Sequence, residues 1–170
     1  MVRLWDGSGV ERIAEVSAAA GELFAEFGVA LPPDDAVSTL LAARAVLVEG
    51  EPVHGFAALG VVDGHAHLEE LGVHPDHGRR GVGALLLRAS LEWAARRGFT
   101  ALTLTTFRDL PFNGPWYARH GFTELPRERW GEELRALWAA EEPIRTAPRT
   151  VLVRSWEPSP EANGITPRLP

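Results

Sequence analysis

The chain of 170 residues has no cysteine, no lysine and no glutamine, and its single tyrosine is Tyr117. Without cysteine there is no disulfide, no thiolate metal site and no covalent cysteine intermediate. All 17 basic residues are arginine, set against 23 acidic ones for a net charge of −6. That balance argues against a general nucleic-acid binder, which needs a basic surface to release counterions; it is compatible with a cationic small partner. No apolar run approaches the ~20 residues of a bilayer-spanning helix. The opening MVRLWDGSGVERIAEV lacks the basic-then-apolar order of a secretory leader. A cytoplasmic protein away from membranes is therefore expected.

What is present describes one folded domain. Apolar residues make up 45% and charged residues 24%, ordinary values for a packed chain of this length. The expected division is a domain over residues 1–157 and a proline-rich tail over 158–170, PSPEANGITPRLP, too poor in apolar residues to pack by itself. Periodicity marks the elements. Val2–Trp5 reads as a strand, Val10–Phe27 as a helix closed by Gly28, and Pro32–Asp35 as a turn capping a second helix to about Ala43. Strands follow at Ala45–Glu49, Val53–Val62 and His65–His74, the last two joined by the hairpin dipeptide Asp63–Gly64. A long helix over Gly81–Arg97 is expected to bury Val82, Leu85, Leu86, Ala89 and Trp93; Thr100–Thr106 is a strand. Short helices are expected over Pro115–His120 and Glu128–Ala140, and a last strand over Thr150–Trp156. Hairpins first and a strand–helix–strand unit later imply an α/β fold, a mixed and mostly antiparallel sheet flanked by helices.

The fourth strand breaks its own alternation. Leu71 and Val73 share a face, but Leu68 falls on the other side. One inserted residue near Glu69–Glu70 brings all three inward, which is a β-bulge. A bulge leaves backbone groups unpaired, and an extended ligand along the strand could partner them. The turn after it, Val73-His74-Pro75-Asp76-His77-Gly78-Arg79-Arg80-Gly81-Val82-Gly83-Ala84, opens a helix. Free N–H groups from about Arg79 to Ala84 at the positive end of that helix form an anion site suited to a pyrophosphate. The glycine order matches neither a GK[ST] phosphate loop nor G-x-G-x-x-G. A flexible exposed turn is the plainer alternative.

Three segments together carry a family resemblance: Leu71-Gly72-Val73-His74-Pro75, Gly78-Arg79-Arg80-Gly81-Val82-Gly83, and Trp116-Tyr117-Ala118-Arg119-His120-Gly121-Phe122. In this order, with the long helix between, they resemble the GNAT superfamily of acyl-CoA-dependent N-acyltransferases, and the outer elements extend the likeness to roughly Val2–Trp156. The resemblance implies a bulged fourth strand splayed from the fifth. It implies that acetyl-CoA is the co-substrate, with Leu71, Gly72 and Val73 pairing with the pantetheine arm. Gly78, Arg79, Arg80, Gly81, Val82, Gly83 and Ala84 would hold the pyrophosphate. Gly78 stands where the family usually carries glutamine or arginine, so the cradle here would rest on main-chain groups, with Arg79 or Arg80 as a side-chain substitute.

By the same resemblance Tyr117, four residues before the Gly-Phe pair, faces the thioester sulfur as general acid to the leaving thiolate. Asn113 is either a helix cap or a cofactor contact. An amine acceptor arrives protonated, with a reference pKa near ~10.4 for a lysine-like amine, so a base is needed. Glu70 and Glu69, at the expected bulge, are the best-placed carboxylates, ahead of His67, His74 and His120. His65 and His67 find no third ligand at a metal-like spacing, so no metal is expected. Six tryptophans occupy positions suited to core packing, and Trp116 adjoins the expected reaction centre. The absence of cysteine favours direct transfer to the acceptor, and no lysine side chain of the chain itself can receive the acyl group. The acceptor is expected to be a small-molecule or peptide amine, and a homodimer could use the last strand and the tail. A non-catalytic acyl-CoA sensor using the same cleft is the alternative function, and a phosphate-binding nucleotide regulator a third.

Overall fold

The strand alternation closes into one sheet. In the computed structural model, which describes residues 1–158, β1 (Val2–Leu4), β2 (Ala45–Glu49), β3 (Gly55–Val62), β4 (His65–Val73), β5 (Ala101–Phe107), β6 (Thr123–Glu124) and β7 (Arg149–Ser155) lie in the order β1-β2-β3-β4-β5-β7-β6. Every neighbouring pair is antiparallel except β4–β5, which is parallel. Among the described residues five α-helices complete the fold: α1 (Val10–Glu26), α2 (Ala36–Ala42), α3 (Val82–Arg96), α4 (Gly114–Arg119) and α5 (Glu132–Ala140). The tail expected from Pro158 onward lies, apart from Pro158 itself, outside the described residues.

Alternate side chains of the same strands feed two cores. Leu47, Ala57 and Leu59 pack with Leu86, Leu87 and Trp93 of α3, whereas Val46, Val48, Phe56 and Ala58 pack with Ile13 and Val16 of α1 and Leu40 of α2. Full burial of a side chain such as Phe56 or Leu86 is worth about 1.5–3 kcal/mol, so these layers fix the register of the sheet. On the α1 side, α5 sets Leu134 against Val151.

Two expectations about helices change. Leu85 is 41% exposed, and Leu87 and Ala94 take its place in the core; the buried stripe of α3 is rotated about one position from the expected one. The expected helix from Glu128 begins only at Glu132, after a separate tight turn at Arg127–Arg129. Its start is fixed from a distance. The Asp63 carboxylate, at the β3–β4 hairpin, accepts the main-chain N–H groups of Glu133 (2.9 Å) and Leu134 (3.2 Å), and the Glu133 carboxylate accepts the N–H of Asp63 (3.1 Å). This reciprocal cap satisfies helix-end donors from another part of the chain.

Candidate active site

The β3–β4 register slips between Ala58 and Leu59, which face Glu70 and Leu68, so Glu69 is the inserted residue of a bulge. Leu68, Leu71 and Val73 consequently pack toward the same core, as the broken alternation predicts. On its other edge β4 pairs with β5 only at Ala66–Leu102 and His67–Thr103. The last rung is pinned by the His67 imidazole, 2.8 Å from the Thr103 hydroxyl, which in turn donates to the Ala66 carbonyl. Burial pushes the His67 pKa down to about 4, so a neutral ring holds this rung. Beyond it the strands diverge, and Leu68 to Val73 have no strand partner on the β5 side.

One cleft, of about 700 Å3, runs from this wedge to the start of α3. Gly81 adopts the left-handed conformation (φ 81°) that a residue with a Cβ rarely takes, and Val82 begins the helix directly after it with no side-chain cap. The main-chain amides from Arg79 to Ala84 have no protein acceptor among the described residues. Those of Gly81 to Ala84 are the orphan donors of a helix end, at its positive pole, and those of Arg79 and Arg80 lead into it. Leu71, Val73, Gly78, Arg79, Gly81, Val82, Gly83 and Ala84 line the cleft, whereas Gly72 and Arg80 do not. Gly72 is buried instead, where a Cβ would strike the Phe56 ring. From α4 the cleft receives Trp116, Tyr117, Arg119 and His120; Arg119 is a cation at the cleft that the sequence reading did not single out.

The second pocket, of about 280 Å3, lies across the wedge. Glu69 and Glu70 line it together with Asp34, Thr105, Phe107, Ile144 and Arg149. Burial raises the pKa of Glu70, and the nearby Asp34 charge adds to the rise against a lowering hydrogen bond from the Ser17 hydroxyl. Partial burial also raises the pKa of Glu69, a residue still open to solvent, whose carboxylate lies where a Cβ on Gly60 would otherwise sit. His67 and His74 line neither pocket, and His120 lines only the first. His74 caps the turn at Pro75 by accepting the Asp76 N–H, and the His120 ring bonds the Trp116 carbonyl.

Tyr117, Asn113, Leu71 and Phe24 line both spaces. The Tyr117 ring is 7% exposed and packs edge-on to Trp116 and Phe122; burial raises its pKa, so the phenol keeps its proton. Its hydroxyl makes no hydrogen bond among the described residues. The α4 segment that presents it approaches β5 so closely that a Cβ on Gly114 would lie 2.2 Å from the Arg108 carbonyl oxygen. Asn113 stands at the N-cap position without a side-chain cap, its amide donating to the Phe112 carbonyl and its Oδ1 buried without a partner. The capping alternative for its side chain is therefore set aside: Asn113 offers an acceptor oxygen where the two spaces meet. No group of three or more metal-ligating side chains occurs among the described residues.

A bulged strand thus parts from its parallel neighbour over a helix start rich in free N–H groups. Residues 14–122 match the model of the acetyltransferase (GNAT) family, and the chain belongs to that family. A curated relative, the uncharacterised N-acetyltransferase YedL of Escherichia coli strain K12, is 35% identical over 79 residues. Those residues are 45% of this chain and 50% of YedL, so the match spans about half the length of that relative. Among solved structures, a GNAT-family acetyltransferase of Staphylococcus aureus Mu50 superposes with a TM-score of 0.70 at 14% identity, over 92% of this chain and 99% of its own. N-acetylglutamate synthase of Neisseria gonorrhoeae, solved with coenzyme A and N-acetyl-glutamate, gives 0.68 at 21%, over 92% of this chain and 35% of its own. At these identities the structural likeness is one of fold. No helix among the described residues is long and apolar enough to cross a membrane.

Proposed function

We propose that the protein is an N-acetyltransferase that passes the acetyl group of acetyl-CoA directly to a primary amine. The observation that carries this reading is that Tyr117 and Asn113 line both spaces at once, so a donor bound in one and an acceptor bound in the other meet beside a protonated phenol. That a fold neighbour, the gonococcal enzyme, was solved with coenzyme A agrees with coenzyme A as the co-substrate; the lining of the larger cleft is what assigns it there on this reading. The residues fit that group: unpaired amides from Arg79 to Ala84 for the pyrophosphate, the open edge of Leu71–Val73 for the pantetheine arm, and the orphaned Asn113 oxygen for an amide N–H. Bound acetyl-CoA supplies an acetyl thioester.

The roles of the chain's own groups follow from their states. Glu70, or Glu69 beside it, takes the ammonium proton, directly or through a water, because a raised pKa brings a carboxylate closer in basicity to an amine. As the C–N bond forms and the C–S bond breaks, the Tyr117 hydroxyl gives its proton to the sulfur. On this reading residues 1–157 are one catalytic domain, acting in the cytoplasm. Incubation with acetyl-CoA and a panel of amines should release free thiol only when an accepted amine is present. Cofactor binding without thiol release on any amine would instead favour an acyl-CoA sensor.

The cradle has its own test. A Cβ on Gly83 would meet Trp116 only at an ordinary 3.5 Å, so the fold tolerates a side chain that the occupied cleft does not. Gly83→Leu is expected to weaken coenzyme A by about 5- to 150-fold, the equivalent of ~1–3 kcal/mol of overpacking, in calorimetric titration. Undiminished affinity removes the pyrophosphate assignment.

A further inference from the structure

The smaller pocket is electrically two-sided. Asp34, Glu69 and Glu70 come from the α1–α2 connection and from β4, whereas Arg149 enters from the first residue of β7. The Arg149 side chain is only 8% exposed, yet its hydrogen bonding is incomplete. Nη2 donates to the Thr105 hydroxyl at 3.1 Å, Nε has no partner, and the guanidinium carbon lies 4.6 Å from the centre of the Phe107 ring. Glu141 does not complete it. One of its oxygens accepts from Thr105, while the other, itself unpartnered, stands 3.7 Å from Nη2, beyond hydrogen-bond contact. Desolvation lowers the Arg149 pKa, but an arginine remains charged.

A buried cation over an aromatic ring, with an unused donor, is an arrangement for a planar anion. We propose that Arg149 is the carboxylate anchor of the acceptor pocket and that the acceptor is an amino-carboxylate, its ammonium toward Glu70 and Glu69 and its carboxylate on the Arg149 guanidinium. This rests on reading the smaller pocket as the acceptor site. Charge distribution favours it over a polyamine of the same length, whose second ammonium would meet the Arg149 guanidinium inside the pocket, whereas Glu141, the ion-pair partner at 3.7 Å, does not line it. Size agrees. A pocket of about 280 Å3 has room for a single amino acid. The Thr146 hydroxyl donates to the Ala30 carbonyl and so ties the segment before β7 to the α1–α2 connection, the two stretches that lead to Arg149 and supply Asp34 in the pocket.

The test measures product-side binding, so it does not depend on turnover. The intact protein, saturated with coenzyme A, is titrated calorimetrically with the N-acetylated proteinogenic amino acids and, for each, the matched N-acetylalkylamine without the carboxylate. At least one acid is expected to bind about 10- to 150-fold more tightly than its counterpart, the margin of hydrogen bonds between charged groups. Arg149→Met is expected to erase that margin while coenzyme A affinity, read in the same experiment, stays unchanged. Glu141→Gln gives an independent reading. It keeps an acceptor for Thr105 but removes a negative charge, and should therefore tighten carboxylate binding, whereas a purely structural Thr105–Glu141–Arg149 network predicts no gain. The proposal is overturned if no N-acetyl-amino acid binds, if the counterparts bind equally well, or if the margin survives Arg149→Met. Thiol release on no amine despite such binding would remove the transferase reading and leave the anchor standing; turnover of amines with no margin for the acid would do the reverse.

Discussion

Tyr117→Phe is expected to lower kcat by about 10²- to 10⁴-fold, the range of general acid–base contributions, with coenzyme A affinity and Tm nearly unchanged. The substitution isolates the hydroxyl. Phenylalanine preserves the edge-on contacts with Trp116 and Phe122, at centroid distances of 5.0 and 5.6 Å. Because the hydroxyl makes no protein hydrogen bond among the described residues, its loss orphans no buried partner, which is the usual source of a stability penalty. The raised pKa keeps the phenol protonated through neutral and mildly basic pH, so wild type and variant should differ by a constant factor there. Steady-state rates with saturating acetyl-CoA, alongside a coenzyme A titration, make the check. Equal losses in kcat and in affinity would reassign Tyr117 to binding; no loss would remove its role as acid.

What the sequence made legible is what lies close along the chain. The bulge could be read because Leu68 is out of phase with Leu71 and Val73, and the donor-rich turn because three glycines and the start of the α3 pattern fall within a few residues. The hairpin at Asp63–Gly64 was legible for the same reason. Its second task, capping α5 with the Asp63 carboxylate, is not legible there, which is why α5 begins at Glu132 rather than at Glu128. The smaller pocket is the extreme case. Phe24, Asp34, Glu70, Thr105, Ile144 and Arg149 come from six elements or connections, and nothing near Arg149 distinguishes it from the other arginines of a lysine-free chain. Its significance is its missing hydrogen bond and its burial, which exist only after β5, β7 and α5 have packed. Asn113 shows the intermediate situation: its place at the head of α4 was readable, but that its side chain does not cap the helix shows only in the packed structure.

Glu70→Gln separates catalysis from folding by acting on them in opposite directions. Glutamine keeps an oxygen to accept from Ser17 and cannot serve as a base, so activity should fall by about 10²- to 10⁴-fold. The deficit should be greatest above the raised Glu70 pKa, where wild type carries the carboxylate, and narrow both in acid, where wild type loses its base, and at high pH, where more of the amine is already unprotonated. Stability should move the other way. Burial raises the Glu70 pKa above its ordinary value, so the folded state favours the protonated acid; that contribution is fully present below the unfolded-state pKa and is lost as pH rises through the folded one. Glutamine does not titrate. Its advantage in Tm over wild type should be absent in strong acid, open above the ordinary carboxylate range, and be complete once pH exceeds the raised value. Rate–pH profiles and melting curves on the same samples test both halves. A loss of activity independent of pH would dismiss Glu70 as the base, the same profile in Glu69→Gln with Glu70→Gln still active would transfer the role to Glu69, and an unchanged Tm at neutral pH would mean that the carboxylate carries no burial penalty.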